Sequence, residues 1–313
     1  MTSLHIQTAL LTHPQLSVAL GKQVWLKMEN TQPSGSFKLR GIGLLCQRAV
    51  AGGATQLVCP SGGNAGFAAA FAGAALGVRT TVVVPETTSA AVIERIRAIG
   101  AEVVVHGSAW HEANQAALQM CEQAGVIYIP PFDHPDIWDG NATLIDEAAA
   151  QAKAMGFDFD VVICAVGGGG LMSGILEGMH RNGMKDVPLI AVETDGAASL
   201  HAAVGAGELV SLPAVTSIAT SLNATRVAAA AFNWTRKHTV LSVKISDAKA
   251  VAACLSFAND MRTLVEPACG AALAVAYQRL PALEEFNRPL IVVCGGIGVS
   301  LETLANWKAQ FSL

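Results

Sequence analysis

Aromatic side chains are scarce in this chain: they make up 5% of its 313 residues, and two are tyrosine. Charge is scarce as well, at 14%. The 20 Lys and Arg are scattered against 24 Asp and Glu, for a net charge of -4. No basic patch exists of the kind that binds nucleic acid or an anionic membrane, so neither is expected as a partner. The seven cysteines, Cys46, Cys59, Cys121, Cys164, Cys254, Cys269 and Cys294, contain no Cys-x-x-Cys pair. That spacing and the odd count argue against a disulfide framework or a structural zinc site. They read as small buried hydrophobes in a reducing compartment, which points to the cytoplasm. His106 and His111 miss the H-x-x-x-H spacing, so a metal role is not assigned to them. The most apolar stretch, Phe67 to Val78, is too short and too glycine-rich to cross a bilayer. The N-terminus has no basic region followed by an apolar run, so no signal peptide is expected.

What is abundant is small and apolar. Hydrophobic residues reach 52%, with 30 glycines. A chain of this length and composition suits two domains with large cores. Short β-branched runs begin at Val24, Gln56, Thr80, Glu102 and Val126, separated by alanine-rich amphipathic stretches. One of these runs from Ser89, a plausible N-cap, to Gly100, a plausible residue beyond the C-cap. The Pro- and Asp-rich segment from Tyr128 to Asn141 breaks the rhythm and reads as a crossing between domains. Alternation resumes at Val161, Pro188, Thr239 and Pro289. The pattern predicts an α/β fold with mostly parallel sheets joined by right-handed crossovers.

Three glycine-containing turns carry the chemistry. Pro33 to Gly41 makes a turn and then starts a helix with Lys38 in its first turn. The positive end of the helix dipole disfavours an ammonium there, and with desolvation favours the neutral amine that a Schiff base requires. By itself such a lysine reads more readily as an ordinary solvated one than as a catalytic one. Cys59 to Gly66 lies between a strand and an alanine-rich helix. Its Ser, Gly and Asn residues at a helix N-terminus offer free backbone N–H groups to an anion such as a carboxylate, although a plain capped turn has the same composition. Gly167 to Leu171 follows a strand, and four bare residues allow close approach of a phosphate. A dinucleotide turn is the rival, but G-x-G-x-x-G fails at Met172 in one frame and at Ser173 in the other.

Taken in order, QPSGSFKLRGIG, SGGNAGFAAA, AVGGGGL, LVEPACGAALA and VVCGG make the chain resemble the L-serine dehydratase/L-threonine deaminase family of fold-type II PLP (pyridoxal 5'-phosphate) enzymes, closest to the short serine dehydratases. The resemblance implies a two-domain, tryptophan synthase β-like α/β fold, each domain a mostly parallel sheet flanked by helices. Residues 1–38 and 137–313 would form the larger PLP-binding domain and 39–136 the smaller, substrate-side one. It implies that Lys38 carries the cofactor and later takes the Cα proton, with Phe37 against one face of the ring. Ser61, Gly62, Gly63 and Ala65 would bind the carboxylate of a small amino-acid substrate, and Asn64 the cofactor's phenolic oxygen. Gly167, Gly168, Gly169, Gly170 and Leu171 would cradle the phosphate, and Cys294 would face the pyridine nitrogen. Glu193, with carbonyls near Gly167, Ala197, Leu222 and Ala224, looks like the family's potassium site. A homodimer is implied on the same ground.

The implied reaction is removal of water and then ammonia from serine or threonine, with the cofactor phosphate as the acid for the poor hydroxyl leaving group. Two departures stand out. Ser221 occupies a position where relatives tend to have Ala, and CGGIG replaces a CGGSN-like turn. The short stretch after the last strand leaves no room for a regulatory domain, so a catabolic role is expected. Serine racemisation, other reactions of the same scaffold, and amino-acid binding without turnover are the competing readings.

Overall fold

The computed structural model describes residues 2–313. In chain order the elements are β1 (Leu10–Thr12), α1 (Pro14–Leu20), β2 (Trp25–Lys27), α2 (Lys38–Ala51), β3 (Gln56–Cys59), α3 (Asn64–Leu76), β4 (Arg79–Val84), α4 (Ala90–Ala98), β5 (Glu102–Val105), α5 (Trp110–Met120), β6 (Val126–Tyr128) and α6 (Pro135–Ala154). They continue with β7 (Val161–Ala165), α7 (Gly170–Arg181), β8 (Leu189–Thr194), α8 (Ser199–Ala206), α9 (Ala229–Trp234), β9 (Val240–Ile245), α10 (Asp247–Met261), α11 (Pro267–Tyr277), β10 (Pro289–Val292) and α12 (Leu301–Gln310).

Two units divide the chain. Gln32–Gly140 forms the first, together with the N-terminal residues through Ile6; Gln7–Thr31 and Asn141–Leu313 form the second. The sequence suggested divisions at 38/39 and 136/137, whereas these fall at 31/32 and 140/141, and Lys38 lies in the first unit. The second division falls inside α6, so the Pro- and Asp-rich crossing is already helical from Pro135. Gly140 explains why α6 stays with α2 up to that point. A Cβ there would overlap the Arg40 carbonyl and lie 2.7 Å from the Cα of Gly41.

The first unit holds a four-stranded parallel sheet in the order β5-β4-β3-β6. Its core joins Ile42, Leu45 and Cys46 of α2 to Leu57 and Cys59 of β3 and to the alanines of α3. Alanine on the buried face of α3 lets the helix axis approach both neighbours closely. The second unit holds six strands in the order β1-β2-β10-β7-β8-β9, parallel except for β1 against β2. Strands β7 and β8 are buried along their whole length, as expected of strands covered by helices on both faces. Buried Lys27 on β2 donates to the Thr8 carbonyl at 2.8 Å, to Glu147 at 2.9 Å and to Gln151 at 2.9 Å. Removing one partner from a buried pair of this kind typically costs about 3–5 kcal/mol.

Two buried histidines of the second unit make its stability pH-dependent. The Nε2 of His238 faces the Val187 carbonyl at 2.8 Å, so it carries the proton, and Nδ1 accepts from His180 Nε2 at 3.2 Å. Burial pushes the imidazoles of both His238 and His13 below 6.5. A lowered folded-state value means that the unfolded chain binds the extra proton first, so stability is lost as pH falls through the ordinary value toward the lowered one. The melting temperature should therefore drop between about pH 7 and about pH 5, and His238→Gln should flatten that drop. An equally steep fall in the variant would remove His238 from the account.

Candidate active site

Lys38 is the first residue of α2, as the turn before it requires. Gly35, at φ 79°, donates its N–H to the Gln32 carbonyl at 2.7 Å and closes the turn. Phe37 then caps the helix without a side-chain hydrogen bond. The half-buried amine of Lys38 donates to the Pro131 carbonyl and lies 5.4 Å from the Phe37 ring centre. It also lies near the end of β3: burial pushes the Cys59 thiol up to about 12, and the Lys38 charge opposes that shift.

Strand β3 ends at Cys59 and releases the turn Pro60 to Gly63, after which α3 begins at Asn64. The Gly63 N–H donates to the Ser61 hydroxyl at 3.3 Å, and the Gly63 carbonyl accepts from Phe67 at 3.1 Å. Gly66 is obligatory, because a Cβ on it would overlap the Ser61 carbonyl oxygen. A Cβ on Gly62 would press on Thr88 at 3.1 Å and Val84 at 3.2 Å, side chains that can give slightly. Asn64 is buried at the head of α3, with Ala65 behind it. The first unit thus brings together Phe37, Lys38, Ser61, Gly62, Gly63, Asn64 and Ala65.

The second unit holds the four-glycine turn. Gly169, at φ 91°, is the cap of α7 and has no side chain to bond the first helical amides. The first amides of any helix lack partners within it, so this N-terminus offers several N–H groups to an anion. The turn is held from outside. Gly168 accepts from Ala228 N–H at 3.1 Å, and Gly170 accepts from Asn141 at 3.0 Å. A Cβ on Gly167 would lie 2.8 Å from the Ser221 carbonyl and 2.9 Å from the Cα of Leu222. Buried Leu171 follows within the first turn of α7. A donor set of backbone amides with no cationic side chain fits a phosphate group.

Glu193 near the end of β8 is fully buried. Its two oxygens accept from Leu200 N–H at 2.8 Å and His201 N–H at 2.7 Å, near the head of α8. Burial pushes its carboxyl up to about 7, against the pull of those two amides and of Lys244. Ala197 sits in the 3-10 turn after β8, and the Leu222 carbonyl accepts from Ala224 at 2.7 Å. The 217–224 segment is pinned by Ser217, which donates to Asp247 at 2.6 Å and accepts from Thr194 at 2.7 Å.

Cys294 lies just beyond β10 and is buried. A hydrogen bond with Cys269 and then burial raise its thiol well above the ordinary range, so it is a neutral group. The CGGIG turn after it wraps the head of α11: a Cβ on Gly296 would overlap the Glu266 N–H. Glu266 lies in the LVEPACGAALA segment, whose sequence alone assigns it no role. The structure buries this carboxylate beside Cys254 and Cys294, and the acid before the Pro267 helix start was the available signal. Among the described residues, no group of three or more His, Cys, Asp and Glu is arranged to hold a metal ion, and no helix is long and apolar enough to cross a membrane.

Two mostly parallel sheets flanked by helices define an α/β protein. The chain belongs to the family of pyridoxal-phosphate dependent enzymes, which it matches over residues 1–295. It is 44% identical to human "L-serine dehydratase/L-threonine deaminase" over 99% of this chain and 96% of that protein. The crystal structure of a fungal L-serine ammonia-lyase from Rhizomucor miehei superposes with a TM-score of 0.94 at 38% identity, covering 99% of this chain and 100% of that one. Serine racemase from Dictyostelium discoideum reaches 0.83 at 26% identity over 95% and 94%. The expected fold-type II architecture is the observed one.

Proposed function

We propose that the chain is a PLP-dependent ammonia-lyase that converts L-serine to pyruvate and ammonia, and L-threonine to 2-oxobutanoate and ammonia. The reading is carried by the likeness to a serine dehydratase along the whole chain, with every expected turn formed. When bound, the cofactor supplies an electron sink for charge developing at the substrate Cα. The Lys38 amine, once free, takes the Cα proton. The amides and hydroxyl of Ser61 to Ala65 hold the substrate carboxylate, and Asn64 bonds the cofactor's phenolic oxygen. Neutral Cys294 serves the pyridine nitrogen as a weak partner.

A potassium site made by Glu193 and the carbonyls of Gly167, Ala197, Leu222 and Ala224 belongs to this reading. It is supported by the close packing of Gly167 on Leu222 and by the second lone pair on each oxygen of the capping carboxylate. Activity should fall when potassium is replaced by tetramethylammonium, and Glu193→Ala should make the enzyme indifferent to that exchange. A wild-type enzyme indifferent to the exchange would remove the ion. A cytoplasmic homodimer completes the proposal. The reaction itself is tested by following pyruvate and D-serine together from L-serine. Pyruvate should dominate; D-serine as the main product would make the chain a racemase instead.

A further inference from the structure

The carboxylate loop is buttressed by a side chain that no motif announces. The indole N–H of Trp110 donates to the Pro60 carbonyl at 2.7 Å. Pro60 is the residue immediately before Ser61 and is itself buried, whereas the Trp110 side chain is about half exposed. The indole sits on a rigid base. Glu112 accepts from the N–H groups of Ser108 at 2.5 Å and Ala109 at 3.2 Å, and from the Ser108 hydroxyl at 2.9 Å, fixing the start of α5. Gly107, at φ 77°, packs against Glu112, and its carbonyl accepts from Glu86 at 2.8 Å. The loop after β4 is thereby tied to the loop after β5, and its Thr88 is the neighbour that Gly62 faces.

Peptide geometry gives this hydrogen bond a consequence. The Pro60 carbonyl and the Ser61 N–H belong to one peptide plane, and no cis peptide bond occurs among the described residues. In a trans peptide the two groups point in opposite directions. An indole holding the carbonyl on one side therefore holds the Ser61 N–H on the other. Without that donor the plane is free to rotate and to turn a carbonyl oxygen toward a bound anion. We propose that Trp110 is a positioning residue that orients the Ser61 amide for the substrate carboxylate. This rests on the reading that Ser61 to Ala65 receives the carboxylate.

The test compares wild-type holoenzyme with Trp110→Phe and with benzothienylalanine placed at position 110, which keeps the indole shape and removes the N–H. In both variants the KM for L-serine should rise about fivefold, the size expected for one neutral hydrogen bond, with kcat within about twofold. Binding of L-alanine, which has the carboxylate and no hydroxyl to lose, should weaken by the same factor. Melting temperature should stay unchanged in the benzothienyl variant, which a purely structural contact would not predict alongside a raised KM. Unchanged KM and L-alanine binding in both variants, while Gly66→Ala weakens L-alanine binding, would overturn the role of Trp110 alone. L-alanine binding unchanged in Gly66→Ala as well would overturn the loop reading, and this proposal with it. A fall in kcat at constant KM also overturns it.

Discussion

Lys38→Ala should abolish elimination, lowering turnover by at least about 10³-fold, because one side chain both holds the cofactor and moves the Cα proton. The fold should survive. Position 38 opens α2, where Ala is a good helix former. The substitution removes the amine's hydrogen bond to the Pro131 carbonyl and its approach to the Phe37 ring, neither of which belongs to the helix ladder. Borohydride treatment should fix a phosphopyridoxyl group on the Lys38 peptide of the wild-type protein and on no peptide of the variant. Mass spectrometry of the digested protein reads this directly. Turnover retained in the variant, or the label found on another lysine, would remove Lys38 from its role.

Gly66→Ala should cost about 10² in kcat/KM by displacing the carboxylate loop. The added methyl would overlap the Ser61 carbonyl and come within 3.1 Å of Val82, and neither backbone nor buried strand can yield without moving the turn. A displacement on the order of 1 Å is enough for a loss of that size. The loss should appear with serine and threonine alike, while the borohydride label on Lys38 persists, because α2 and its amine are not touched. Kinetics like those of the wild type would show that the Ser61 to Ala65 turn does not hold substrate.

Much of the fold is legible in the sequence because its signals are local. The β-branched runs at Gln56, Glu102, Val126 and Val161 begin strands at those same residues. Helix α4 has its cap at Ser89, which accepts from Val92 N–H, and Gly100 follows at φ 104°. The three turns are legible because glycine is the residue that a bare backbone at a strand-to-helix junction requires. What escaped notice is non-local or short. Strand β1 has three residues, no alternation of its own, and a place at the sheet edge given by antiparallel pairing with β2. Trp110 reaches Pro60 across 50 residues of chain, through a loop after β5 whose sequence signals only a turn. Glu193 was expected among cation ligands, and its two bonds to the head of α8 depend on where that helix starts in space. The unit boundary within α6 follows from Gly140 packing on Arg40, which composition cannot reveal.

The central claim is that this chain performs β-elimination with pyridoxal phosphate. The most direct measurement is the amount of pyruvate and ammonia released from L-serine by the purified protein, with and without added cofactor after dialysis against a carbonyl-trapping amine. The account predicts the two products in equal amounts, in a reaction lost on cofactor removal and restored by pyridoxal phosphate. Pyruvate formation that persists without the cofactor, or restored cofactor with no release of either product, would contradict it.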